Sequence, residues 1–240
     1  MNTGKIKKPL ILGILFFLPV IFLLFLYPST HNYNTLDIVK ENILEISEFK
    51  LSSNSRYELE NHLTVLGFLG KKPMDNAIMA LNLKELIYDK FKGFKRFQVL
   101  IFVTEGTLEQ VKLLKKELYQ YDILKYWHFV YASETEIKKV FNSLSSKHEL
   151  NVNLSTDNVF IIDTELNQRG RLDDRTDREK EKNTPVYGLN SYNCIQIAEI
   201  KNKMSEDLRI LFTEYRQKRK GTFDSASRRA EDIKPKDEQN

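Results

Sequence analysis

Residues 9–27, Pro-Leu-Ile-Leu-Gly-Ile-Leu-Phe-Phe-Leu-Pro-Val-Ile-Phe-Leu-Leu-Phe-Leu-Tyr, run nineteen positions without a charged side chain, the strongest constraint in this 240-residue chain. As a helix rising about 1.5 Å per residue, the run spans roughly 28 Å, close to the roughly 30 Å of a hydrocarbon core. Pro19 interrupts its middle, which a membrane helix tolerates better than an exposed soluble one. Lys5, Lys7 and Lys8 precede the run, while His31, Asp37, Lys40 and Glu41 follow it in balance. The positive-inside rule then keeps residues 1–8 in the cytoplasm and exports the large domain. A cleaved signal peptide competes with this reading, as does a buried soluble helix. The run exceeds the usual apolar core of about 7–15 residues, and Phe25-Leu-Tyr-Pro-Ser29 offers no A-x-A-like cleavage site. The expectation is an uncleaved, single-pass, N-in anchor in the inner membrane, with the domain in the periplasm if the cell is Gram-negative.

The charge count narrows the partners. The chain holds 37 Lys and Arg against 33 Asp and Glu, and residues 1–27 contain three of the lysines and no acid. What remains is nearly neutral, whereas nucleic-acid binding needs a concentrated basic face that displaces counterions. No nucleic-acid partner is therefore expected. A single cysteine, Cys194, excludes an internal disulfide, a CxxC pair and a thiolate zinc cluster. Four scattered histidines give no grouping for a metal, so neither metal nor cofactor is expected.

Beyond the anchor, residues 28–59 read as a linker with room for one small helix. Leu63-Thr-Val-Leu-Gly-Phe-Leu69 is an uninterrupted apolar run, as in a strand covered on both faces. After Gly70-Lys-Lys-Pro73, Asp75 or Asn76 is placed to cap a helix facing inward through Ile78, Leu81, Leu86 and Phe91. The alternation repeats at 97–103, then at a helix opened by a Thr107/Gln110 capping box with Leu108, Val111, Leu114 and Leu118 inward. A third strand, 127–131, leads to a Ser133/Glu136 capping box and Ile137, Val140, Phe141 and Leu144. Strands 159–163 and 168–172 then form a hairpin across the polar turn Asp163–Asn167, and Asp173–Lys182 reads as a charged, mobile stretch. Ile197, Ile200, Met204, Leu208, Leu211 and Tyr215 mark a long amphipathic closing helix. The predicted domain covers 60–216, and 217–240 reads as a disordered charged tail.

This order, three β-α pairs, a hairpin and a closing helix, is that of a thioredoxin-like α/β sheet with flanking helices. Leu66-Gly-Phe-Leu-Gly-Lys-Lys-Pro73, Phe97-Gln-Val-Leu-Ile-Phe-Val-Thr-Glu105 and Val159-Phe-Ile-Ile-Asp-Thr-Glu165 resemble the first, second and fourth core strands of the Sco/SenC branch. The resemblance implies a membrane-anchored protein of respiratory-complex assembly. That family carries a CxxxC pair at the turn before the first core helix and a copper-ligand histidine before the fourth strand. Here the turn reads Lys71-Lys-Pro-Met-Asp-Asn76, and Ser155 or Thr156 stands where the histidine would fall. Soft Cu(I) needs thiolate, thioether or imidazole donors, and Met74 alone does not replace three ligands. The fold is implied; the copper and thiol chemistry is not.

Other candidates favour packing over chemistry. Cys194, beside Ile195 and Ile197, reads as a small buried hydrophobe. Asp173-Asp-Arg-Thr-Asp177 matches a DDxxD string, but its interleaved arginines suggest a salt-laced loop. His128 sits in an apolar strand as a structural, hydrogen-bonded residue, while His62 and His148 look like surface positions. Arg216, Lys218, Arg219 and Lys220 suit a helix C-terminus, with a weak contact to acidic lipid as the alternative. No GxSxG, Walker or GxGxxG string occurs, and no catalytic pair emerges. The balance points away from an enzyme and toward a module that binds a protein partner outside the membrane. The alternative is an enzyme or metallochaperone of the same fold using an unrecognised site. In this fold Gly70–Asn76 and Ser155–Asn158 meet at one sheet edge. Lys71, Lys72, Asn76 and Asp157 are the candidate partner-binding residues there, and the lysines with a helix N-terminus favour an acidic segment.

Overall fold

The computed structural model describes residues 12–22, 35–47, 49, 57–119 and 124–221. The chain divides into two compact units, 1–34 and 35–240. In the first, residues 12–22 form a helix (α1) with exposed apolar side chains such as Leu12, Leu15 and Phe16. Among the described residues no helix is long and apolar enough to cross a membrane. Residues 9–11 and 23–27 of the expected span lie outside the described residues, as do the cytoplasmic tail 1–8 and residues 222–240.

The second unit is built on one mixed sheet. Its strands are β1 (Asp37–Lys40), β2 (Leu63–Gly70), β3 (Phe97–Thr104), β4 (Trp127–Ala132), β5 (Thr156–Ile162), β6 (Gln168–Gly170) and β7 (Tyr192–Asn193). They lie in the order β1-β6-β5-β2-β3-β4, with β7 added alongside β5. Strands β2, β3 and β4 run parallel, and β5 returns antiparallel beside β2, with Phe68 opposite Thr156. The parallel pairs need helical crossovers, which cover one face of the sheet, while the helix after β4 and the segment before β2 cover the other, so every residue of β2 and β3 is buried.

Alternate side chains along these strands serve two cores. Val65, Leu69, Val99, Ile101 and Val159 face three helical elements. These are α2 (Ala77–Leu83, a π-turn at Lys84–Tyr88, then Asp89–Phe91), α3 (Leu108–Leu118) and α6 (a π-turn at Glu199–Met204, then Ser205–Lys220). Leu66, Phe68, Leu100, Phe102 and Phe160 face the other way, onto α4 (Glu134–Ser143) and onto Ile43, Ile46 and Leu59. Gly67 belongs to the first face. A Cβ there would meet Ile101 Cδ1 at 2.9 Å and Met79 Cε at 3.4 Å, so its bareness admits the Met79 side chain onto the sheet.

Several expected details are corrected. Residues expected as linker contribute β1 and the buried Leu36, Ile43, Ile46 and Leu59. On α2 Phe91 is buried as expected and Leu81 and Leu86 pack partly against the core, but the other buried residues are Met79, Ala80, Leu83, Ile87 and Tyr88, and Ile78 is exposed. Leu108 is also exposed, and the Thr107 hydroxyl donates to the Thr104 carbonyl instead of capping α3. The Ser133/Glu136 box forms in both directions. The stretch expected to be mobile holds a short helix, α5 (Asp177–Glu181), capped by Thr176 and Glu179. Ile197 faces solvent, and α6 continues four residues past Arg216 before Gly221 ends it in the left-handed region.

Candidate functional site

Because β5 runs antiparallel to β2, the C-terminal end of β2 lies beside the loop that enters β5. Gly70 closes β2 at φ +57°, and a Cβ on it would stand 1.9 Å from the Asn153 carbonyl oxygen. Only glycine permits that approach. The next amide, Lys71 N–H, donates to the same Asn153 carbonyl at 2.7 Å. The loop is braced from within: Asn151 Oδ1 accepts from the amides of Asn153 and Ser155, and Asn151 Nδ2 donates to Ser155 Oγ at 2.8 Å. Ser155 and Thr156 are buried behind it.

Pro73–Asn76 then forms a single 3-10 turn that runs into α2. Lys71 Nζ pairs with Glu134 Oε1 at 2.7 Å across to α4, and this partner holds the half-exposed Glu134 carboxyl below its usual range. Lys72 is exposed, and Asn76 is half-buried with Nδ2 directed at the Lys72 carbonyl. Asp157 is exposed but set back along β5, one residue past the Phe68–Thr156 pair. The structure thus gathers Lys71, Lys72 and Asn76 in one turn and places Asp157 apart from them. The expected free amides are fewer than the sequence suggested. Pro73 has none to offer, Asp75 N–H donates to the Lys72 carbonyl, and the Asp75 carboxylate occupies the first turn.

Sequence reading missed Glu134, Asn151 and Asn153. The Asn-x-Asn spacing at 151–153 is a turn signal that pointed to the loop's self-bracing. Glu134 carried no signal, because its pairing with Lys71 exists only once α4 has packed.

The copper donors implied by the Sco/SenC resemblance do not fit. Met74 is half-buried, and Ser155 and Thr156 supply hydroxyls where an imidazole would be needed. The thiol of Cys194 is fully buried, and burial, with Asp157 and Glu199 nearby, pushes its pKa far above the ordinary value. Its carbonyl and amide are engaged as well, by Asn82 Nδ2 at 2.9 Å and Asp157 O at 2.8 Å. Among the described residues no three His, Cys, Asp or Glu side chains group as ligands.

The remaining candidates are structural. Asp173 pairs with Arg175, while Asp174 pairs with Arg171 and Lys203, so the acidic string is neutralised by its neighbours. His128 is half-buried against the Tyr57 ring at 5.1 Å, an aromatic contact where a hydrogen bond was expected, and burial first, then Lys115 and His62, lower its pKa. Lys218 pairs with Glu214 at 3.0 Å.

A sheet whose central strand has a parallel neighbour on one side and an antiparallel one on the other, followed by a hairpin and a closing helix, defines a thioredoxin-like α/β module. Here that module carries no thiol at its characteristic edge. Among solved structures, the chain is similar to the soluble domain of Sco1 from Bacillus subtilis: identity is 15%, coverage 71% of this chain and 92% of that one, and TM-score 0.42. It is similar to apo Sco1 from Thermus thermophilus at 14% identity, covering 76% and 99%, with TM-score 0.45. A putative thiol:disulfide interchange protein DsbE from Chlorobium tepidum matches at 10% identity, covering 73% and 97%, with TM-score 0.40. No protein-family model matches the chain, and no curated protein matches it.

Proposed function

We propose that this chain is a single-pass protein of the cytoplasmic membrane, N-terminus inside, whose exported thioredoxin-like domain is non-catalytic and binds a protein partner. Respiratory-complex assembly is the setting that the Sco/SenC resemblance implies. One observation supports the reading best. The edge where the fold usually keeps its thiols is built with care, through Gly70, Asn151 and the Lys71–Glu134 pair, yet it presents no nucleophile and no ligand set. A rigid, chemically quiet surface suits recognition. With Lys71 already paired, exposed Lys72 is the residue left to meet an acidic group, and Asn76 offers an amide beside it.

Two measurements test the proposal. Protease added outside intact spheroplasts digests the domain if residues 9–27 anchor it N-in; protection of the whole chain reverses the topology. A photo-crosslinker at the exposed position 75 captures a discrete partner, and adding Lys71→Glu/Lys72→Glu abolishes capture while the circular dichroism spectrum stays unchanged. Tight Cu(I) binding or thiol-reductase activity by the purified chain would overturn the non-catalytic reading and favour a metallochaperone or enzyme.

A further inference from the structure

On the face where α2 and α6 pack together, Lys201, Ser205 and Arg209 recur every four residues along α6, with Phe212 three further on. From the end of α2, Lys90 Nζ reaches across and donates to Ser205 Oγ. Just beyond it, the Phe94 ring stacks on Phe212 with centroids 3.8 Å apart and planes 16° from parallel. Lys90, Lys201 and Arg209 are all exposed, and so is Phe94. Neighbouring lysines have found carboxylates: Lys84 lies 2.9 Å from Asp89, and Lys203 pairs with Asp174. Among the described residues, Lys90, Lys201 and Arg209 pair with none. Desolvation, followed by the charges of Arg209 and Lys201, lowers the Lys90 pKa, so these cations lie close enough to feel one another. Like charges held together in this way are relieved when an anion joins them.

We propose that this face is a docking surface for the anionic headgroups of a phospholipid bilayer. Its cations lie side by side on exposed helices, not around a cradle of converging amides such as a free phosphate takes. Exposed lysine and arginine next to aromatic rings match the interfacial layer of a membrane, where rings enter the headgroup region and cations meet its negative potential. The contact is separate from any anchor. It would lay the α2–α6 face on the lipid and leave the Gly70–Asn76 edge to the partner.

The test uses the full chain with vesicles of phosphatidylcholine alone or mixed with phosphatidylglycerol. A water-soluble amine-acylating reagent is applied and lysine modification is followed by mass spectrometry. Acylation of Lys90 and Lys201 slows in the phosphatidylglycerol vesicles, while Lys138, on the opposite face of the sheet in α4, does not change. Arg209→Gln weakens the protection at Lys90 about fivefold, the worth of one cation near an acidic surface. Equal rates in both vesicles, equal slowing at Lys138, or full protection in Arg209→Gln each overturn the proposal. So does the same slowing in phosphatidylcholine vesicles on adding glycerol phosphate, which would assign the site to a free phosphate. A chain without a membrane span would show the same lipid contrast by binding from solution, so failure of the anchor and failure of this face are read separately.

Discussion

Arg169 is a charge held almost wholly out of water. It lies on β6 with about 4% of its surface exposed, and its guanidinium donates to Asp163 Oδ2 at 3.0 Å, Glu214 Oε2 at 2.8 Å and the Leu36 carbonyl at 2.6 Å. Asp163 in turn accepts from the amides of Glu165 and Asn167, which shapes the hairpin turn. Such a cluster adds little over well-packed apolar groups, but removing one member strands the rest. Arg169→Met takes from the buried carboxylates of Asp163 and Glu214 the guanidinium they share, and a loss of about 3–5 kcal/mol in urea unfolding is expected. Two residues along, Arg171 holds Asp207, which also accepts from the Tyr192 hydroxyl at 2.6 Å. Burial raises the Asp207 pKa above its ordinary value, and the bonds to Arg171 and Tyr192 hold that rise in check. Without Arg171 the carboxyl rises further. An acid whose folded pKa is raised stabilises the fold at low pH and loses that contribution as pH climbs through the folded value. Arg171→Leu should therefore destabilise the domain more at pH 8 than at pH 4.5; an equal loss at both would contradict this account. None of these partnerships was legible in the sequence, because alternation along a strand gives no hint that an arginine turns inward to acids on a distant helix.

Elements were far more legible. All five predicted strands stand within three residues of their expected bounds, since uninterrupted apolar runs allow little else. The helical faces were less well placed: besides Leu108, exposed at the start of α3, two helices are affected, and in those two the cause is the same. Each contains a π-turn, Lys84–Tyr88 in α2 and Glu199–Met204 in α6. A π-turn widens the helix locally, so a pattern counted at 3.6 residues per turn slips on one side of it. Ile78 and Ile197, both N-terminal to such a turn, rotate out to solvent, while Leu208 and Leu211 beyond the turn face the core as expected. Leu208 is fully buried between α6 and the sheet, and Leu208→Ala should cost roughly 2–5 kcal/mol by denaturant titration. A cost under about 1 kcal/mol would mean that the closing helix is not packed as described. At the site, the meeting of the two loops followed from element order, whereas the pairing that neutralises Lys71 needed the packed position of α4.

At the scale of the molecule, the domain begins earlier than composition suggested. Thr35 opens the second compact unit, and β1 extends the sheet by pairing with β6. Its sequence, Asp-Ile-Val-Lys, is too short and too mixed to stand out in a polar stretch. Removing residues 1–34 should leave a cooperatively folding domain, while removing 1–47 strips away β1, Leu36, Ile43 and Ile46 and should lower the unfolding midpoint sharply. Equal midpoints for the two truncations would show that β1 is an ornament of the sheet. The position of Arg169 also governs when the chain can finish folding. Its guanidinium joins a carbonyl 133 residues upstream to a carboxylate 45 residues downstream. A nascent chain emerging amino end first must therefore keep β1 unpaired until β6 arrives, and must wait again for Glu214 before that charge is enclosed. The domain completes itself only once Glu214 has emerged, and long-range closure of this kind is slow. Under the proposed export, that delay keeps the domain threadable until its closing helix has followed the sheet across.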